Sequence, residues 1–206
     1  MANLKTNGVK KAEQVEPIKN SKDIKKIRQY LMGKPNKRDY CLWCCGTNFL
    51  LRAGDLLKLR WRDVLIDKCI VKEYITLTEE KTGKFKKIKV NSDAKESLLL
   101  YREYLKEFDM SDFIFRSRKG DGHLTVKSLH KIIKTMCNEL GLKGNFGSHT
   151  LRKTGARKIY ADNIADNPMI LNYLQKILNH SSQAVTLRYI GIESEEIYDL
   201  YDNIRW

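Results

Sequence analysis

From Arg38 to Arg52 the chain reads RDYCLWCCGTNFLLR, with apolar side chains on almost every face that a helix would present. A helix that is apolar all round has no face to give to water, so other elements must surround it. The run therefore predicts a helix over residues 37–52 at the centre of a core. A chain of 206 residues can build such a core without disulfides or a structural metal. The run falls short of the roughly 20 residues that a membrane span needs. The N-terminus, MANLKTNGVKKAEQVEP, has no continuous apolar stretch of the kind a secretory signal carries. Cysteine is present in an odd number, 5. Four of these sit in apolar periodic segments, which reads as free thiols in a reducing cytoplasm rather than a disulfide framework.

Around the central run the pattern is mostly helical. Ile24, Ile27, Tyr30 and Leu31 repeat at helical spacing, with Ser21 as the expected cap and Gly33 and Pro35 as the stop. Residues 68–90 change character. Ile70-Val71 and Tyr74 to Thr78 are β-branched or aromatic, Thr82-Gly83 supplies a turn, and Lys84 to Val90 returns as a second strand. Further helices are expected over 93–107, 125–140, 149–163, 168–179 and 194–204, with a short extended piece at Phe113-Ile114-Phe115. The fold class is mainly α with one small antiparallel β-hairpin, an α+β arrangement. Three parts are expected: a flexible basic arm over 1–20, a single domain over 21–192, and a C-terminal helix over 193–206.

Charge narrows the partner. Lys plus Arg number 39 against 25 Asp plus Glu, a net +14. Residues 193–206 hold Glu193, Glu195, Glu196, Asp199 and Asp202 against Arg205 alone, so the whole excess lies upstream. Such an excess favours a polyanion, nucleic acid before a membrane surface. Several chemistries have no support. Cys41, Cys44 and Cys45 lack a second ligand pair at zinc spacing. Lys81-Thr82-Gly83-Lys84 lacks the rest of a phosphate loop. No carboxylate or His cluster offers a divalent metal site. No metal and no cofactor are expected.

What remains is basic and ordered. Arg52-Ala53-Gly54-Asp55-Leu56 closes the apolar run. Lys81-Thr82-Gly83 forms the hairpin turn. His149-Thr150-Leu151-Arg152 opens a helix, with Ser148 as the expected cap, and places His149 and Arg152 on one face near its N-terminus. That end carries free N–H groups and the positive half of the helix dipole, so it suits an anion. Leu178-Asn179-His180 follows, and Tyr189 lies further on in Thr186-Leu187-Arg188-Tyr189.

In their order and spacing these segments resemble the tyrosine recombinases, the phage integrase family, over about residues 21–204. The resemblance implies the catalytic-domain fold of that family and strand exchange on double-stranded DNA through a 3′-phosphotyrosyl intermediate. It implies Tyr189 as nucleophile, and Arg52 and Arg152 as holders of the non-bridging phosphate oxygens. Lys81 would protonate the leaving 5′-oxygen, although Lys84, Lys86, Lys87 and Lys89 crowd the same hairpin. His149 would move the phenol proton, and His180 would donate to a phosphate oxygen. Asp55 stands where Glu is more usual and would buttress the site. Asn179 stands where Gly is common, and Asn tolerates the left-handed conformation a helix end needs. The family's usual N-terminal helical DNA-binding domain has no counterpart in the 20 polar residues before Ser21.

The chemistry is consistent with these residue types. A phosphodiester gains negative charge in its transition state, and two preplaced guanidinium forks stabilise that charge. A phenol of pKa about 10 is ionised only about one part in a thousand at pH 7, so it needs a base or cationic surroundings. In the last helix Ile197, Leu200, Tyr201 and Ile204 form an apolar stripe. The stripe docks either on its own core or on a neighbouring protomer of a DNA-bound homotetramer. Placement in the cytoplasm, on the nucleoid, follows from such a partner. The competing readings are a non-catalytic DNA-binding regulator on the same fold and a type IB topoisomerase-like enzyme.

Overall fold

The computed structural model describes residues 14–192 together with Tyr201 and Ile204. The elements run α1 (Ser21–Gly33), α2 (Arg38–Asn48), α3 (Ala53–Leu57), α4 (Trp61–Val64), β1 (Tyr74–Thr78), β2 (Phe85–Lys89), α5 (Ser92–Tyr104), α6 (Val126–Glu139), α7 (Thr150–Asn163), α8 (Ile170–Leu178) and α9 (Gln183–Ile190). The two strands pair antiparallel, with Tyr74 opposite Lys89 and Thr78 opposite Phe85. The sheet is the hairpin read from the sequence, and Gly83 adopts the positive φ of 64° that its turn requires. Among the described residues no helix is long and apolar enough to cross a membrane.

The apolar run behaves as its composition dictates, but it is shorter than its pattern suggests. Leu42, Trp43, Cys44 and Cys45 are buried in α2, which packs against α1, α5 and α7. The expected helix over 37–52 stops at Asn48. Thr47 Oγ1 donates back to the carbonyls of Trp43 and Cys44, and Asn48 Nδ2 donates to the carbonyl of Cys44. Such side chains offer the backbone an alternative to further helical bonds. Leu50 then takes a left-handed conformation, φ 50°, which costs a branched residue of the order of 1 kcal/mol. That reversal starts α3 afresh, so Arg52 is not the end of α2. It is the extended residue that precedes α3.

Two expected caps are also shifted. Asn20, not Ser21, caps α1, its side chain accepting from the amide of Lys22. His149, not Ser148, occupies the cap position of α7, without a side-chain bond. The helix α9 has no counterpart among the sequence-based elements. Of the segment expected as an arm, residues 1–13 lie outside the described residues. The part from Glu16 to Ile18 is bound to α7: the Ile18 amide donates to Thr154 Oγ1 (2.9 Å), and Thr150 Oγ1 donates to the Glu16 carbonyl (2.9 Å). Most of the C-terminal helix expected over 194–204 lies outside the described residues.

The larger core gathers around α2, α5 and α6. A smaller one joins Leu50 and Ala156 to Ile170, Leu174, Leu178 and Ile190, with Tyr189 packed at its edge. The helix α7 links them. It can do so because Gly155 lets it approach the end of α2: a β-carbon at Gly155 would lie 1.8 Å from the carbonyl oxygen of Thr47. A methyl group there must push the helices apart, and overpacking of this kind costs about 1–3 kcal/mol or more. Gly155→Ala should therefore lower the urea midpoint strongly. Gly33→Ala, where no atom lies within 4 Å, should leave it unchanged or raise it slightly. Equal midpoints for the two variants would contradict this packing.

Candidate active site

Five segments meet where the two cores join. The extended backbone before α3 aims Arg52 inward, with its side chain 20% exposed. Its Nη1 lies 2.6 Å from Oε2 of Glu79, whose side chain is fully buried. Glu79 Oε2 accepts from Asn179 Nδ2 (2.9 Å) and Thr82 Oγ1 (2.9 Å), and Lys86 Nζ lies 3.7 Å from its other oxygen. Burial pushes the Glu79 carboxyl up, but the bonds from Arg52, Asn179 and Thr82 and the charge of Lys86 outweigh it. The group is held at about 2 and is fully ionised.

Arg152 projects from the first turn of α7 and is 5% exposed. Its Nη2 donates to the carbonyl of Leu178 at the end of α8 (2.9 Å). Burial, together with the Arg52 charge, pulls its pKa below the ordinary guanidinium value without neutralising it. Asn179 ends α8 in the left-handed conformation, φ 57° and ψ 45°, as an Asn at that place can. This turn brings His180 over Tyr189, their ring centroids 4.8 Å apart and edge to face. His180 Nδ1 and Thr186 Oγ1 are hydrogen-bonded at 3.2 Å.

Tyr189 lies in the last turn of α9, which starts with Ser182 as a side-chain cap and ends at Gly191 in the left-handed region. The Arg152 guanidinium carbon is 6.0 Å from the Tyr189 ring centroid and the Lys153 ammonium 4.9 Å. Burial pushes the phenol pKa above its ordinary value, and Arg152 and Arg52 only partly oppose it. The Tyr189 hydroxyl and Arg152 Nε are buried and have no hydrogen-bond partner among the described residues. An unpartnered buried phenol beside two guanidiniums is an expensive arrangement for a structural core.

His149 and Lys81 stand at the rim. Burial, then Arg152, Lys153, Lys81 and Arg52, hold the His149 imidazole below its ordinary pKa, so all four cations are within electrostatic reach. His180 is lowered by burial and by Arg152, Arg52 and Lys153. Lys81 is exposed in the hairpin turn. Lys86 differs from it: it faces inward from β2 and donates to the carbonyl of Ile177 (2.9 Å). Burial and the charge of Arg152, with Arg52 adding and Glu79 opposing, bring its pKa down to about 8. Lys84 Nζ donates to Asn179 Oδ1 (3.2 Å). Asp55 is buried and its Oδ1 accepts the amide of Glu80 (3.0 Å), so it supports the backbone just before Lys81.

The structure thus brings Arg52, Arg152, His180 and Tyr189 into one cluster, with His149 and Lys81 beside it. Sequence reasoning missed Glu79 and Lys153. Lys153 could have been flagged as a second cation directly after Arg152. Glu79 carries no local signal, because its partners Arg52 and Asn179 come from elsewhere in the chain. Among the described residues no group of three or more His, Cys, Asp or Glu side chains is placed to hold a metal ion.

Comparison with known proteins identifies the family. A family model described as the phage integrase family matches residues 19–196. A probable integrase/recombinase, YoeC, of Bacillus subtilis (strain 168) is 35% identical over 183 residues, which cover 88% of this chain and 92% of that protein. The crystal structure of XerA recombinase superposes with a TM-score of 0.70 at 17% identity, over 96% of this chain and 68% of that one. The structure of XerH site-specific recombinase in a post-cleavage complex with palindromic difH substrate gives 0.67 at 19% identity, over 89% of this chain and 51% of that one. The chain belongs to the phage integrase family and is a tyrosine recombinase, an enzyme that breaks and rejoins DNA.

Proposed function

We propose that this site-specific recombinase cuts duplex DNA by attack of the Tyr189 phenol oxygen on a backbone phosphorus. The observation that carries the reading is the buried, unpartnered Tyr189 hydroxyl beside Arg152, with Arg52 within electrostatic reach. The new bond joins the phosphorus to the phenol oxygen, and the bond from phosphorus to the 5′-oxygen breaks. The phenol proton passes to His149, which is neutral at pH 7 because burial and four cations disfavour its charged form. A proton from Lys81 goes to the 5′-oxygen, leaving a 5′-hydroxyl and a 3′-phosphotyrosyl ester. Arg52 and Arg152 hold the non-bridging oxygens and stabilise the added charge. His180, its Nδ1 hydrogen-bonded to Thr186 Oγ1, meets a phosphate oxygen through its other ring nitrogen. Attack by the 5′-hydroxyl of a partner strand reverses the steps. The ester conserves the bond energy, so the exchange needs no nucleotide triphosphate.

The exchange of two duplexes calls for four active sites, and we propose a homotetramer on DNA coupled through residues 193–206. Tyr201 and Ile204, two of the four apolar positions of that stripe, are 68% and 57% exposed, so they are not spent on this chain's own core.

With a nicked suicide duplex, Tyr189→Phe should form no covalent adduct yet bind with unchanged affinity. An adduct in that variant would refute the reading, and loss of binding would point to a structural role for the hydroxyl. Deleting residues 193–206 should impair strand exchange more than single-site binding in gel shifts; equal loss of both would refute the exchange of that segment. The lowered histidines give a third test. As pH falls through 6.5, His149 and His180 of the unfolded chain charge before those of the folded one. Stability should therefore fall below pH 6.5. NMR titration should place both midpoints below 6.5, and a midpoint at or above it for either ring would contradict the site's electrostatics.

A further inference from the structure

One buried group in the site has no part in the chemistry set out above. The Glu79 side chain, in the residue that follows β1, is fully buried. It touches four elements at once: Arg52 before α3, Thr82 beside Lys81 in the hairpin turn, Lys86 on β2, and Asn179 at the end of α8, next to His180. Its backbone is fixed as well. The Glu79 amide donates to the Lys84 carbonyl and its carbonyl accepts the Gly83 amide, both across the turn. A packing role alone would not select a carboxylate here, because an ionised carboxylate is costly to bury unless its charge is used.

We propose that Glu79 is a positioning residue for DNA cleavage, its carboxylate holding Arg52, the Lys81 turn and the His180 turn at fixed mutual distances. The proposal rests on the roles given above to Arg52, Lys81 and Tyr189. Arg52 and Arg152 must face one phosphate, and their like charges oppose that approach. A single anion against Arg52 offsets the repulsion. Lys86 completes the floor. It is faced by Arg152 from α7, by Arg52 from the start of α3 and by Glu79, and it also donates to the carbonyls of Ile177 and Leu50. Lys86 is therefore a bracket between β2 and α8, and Glu79 favours the charged form that makes those bonds.

The test is Glu79→Gln in the full chain, with Tyr189→Phe as the parallel arm, on nicked suicide DNA. Glu79→Gln should bind the duplex as tightly as the parent or more tightly, since it removes a buried negative charge from a cationic site. Its cleavage rate at saturating DNA should fall about 100-fold, as expected when reacting groups lose their alignment. The alkaline limb of its rate profile should also move to lower pH, because Lys86 loses the neighbour that favours its proton. A side chain with a merely structural role would not move that limb. Should Glu79→Gln fail to fold, the double variant Glu79→Gln/Lys86→Met removes both charges together and should fold yet remain slow. Parent-like cleavage in either variant, or a parallel loss of binding and cleavage with an unshifted limb, would overturn the proposal. If Tyr189→Phe still forms an adduct, the catalytic reading falls and takes this inference with it. If Tyr189→Phe is inert while Glu79→Gln cleaves like the parent, only this inference falls.

Discussion

Arg52, Arg152, Lys86 and Lys153 are held close together at the junction of two apolar clusters, and mutual repulsion is the constraint on everything around them. Two like charges about 4 Å apart repel by about 4 kcal/mol at the effective dielectric of a protein surface. The fold answers with acceptors: the carboxylate of Glu79 and the carbonyls of Leu178, Ile177 and Leu50. Three of these are available only because helices end there. The left-handed turn at Asn179 is thus part of the electrostatics, since it ends α8 where the carbonyls of Ile177 and Leu178 can receive cations, and Leu50 offers its carbonyl from the left-handed turn that follows α2.

The same arrangement sets the chemistry. A cluster that is nearly over-charged when empty gains most from a doubly charged transition state, because the phosphate supplies the anion the site lacks. Preorganisation of this kind stabilises charge as it develops and needs no reorientation at the moment of reaction. Burial raises the pKa of Tyr189 above its ordinary value and two arginines only partly oppose it, so the group is neutral at rest and gives up its proton as it attacks. The neutral imidazole of His149 follows from the same surplus of cations.

Much of this is legible in the sequence, for identifiable reasons. The central helix shows because burial on all sides leaves no polar stripe. The hairpin shows because its first strand is rich in β-branched residues and its turn needs Gly83. Arg152, His180 and Tyr189 show because their spacing resembles a known family. The features that stay hidden depend on competition or on distance. The end of α2 at Asn48 is decided by Thr47 and Asn48 side chains bonding back to the helix, while Phe49, Leu50 and Leu51 continue the apolar pattern unbroken. The helix α9 is only eight residues long, too short for periodicity to stand out, although Ser182 and Gly191 mark its ends. Glu79 is invisible because its partner Asn179 is 100 residues away along the chain.

The central claim is that the oxygen of Tyr189, and no other side chain, becomes esterified to DNA. Trapping the enzyme on a nicked duplex, digesting with nuclease and trypsin, and sequencing the nucleotide-bearing peptide by mass spectrometry tests this directly. Cleavage after Arg188 makes the expected product a peptide that begins with a nucleotidylated Tyr189. A nucleotide on Tyr160, Tyr173, Tyr198 or Tyr201, or on any residue other than a tyrosine, would contradict the account.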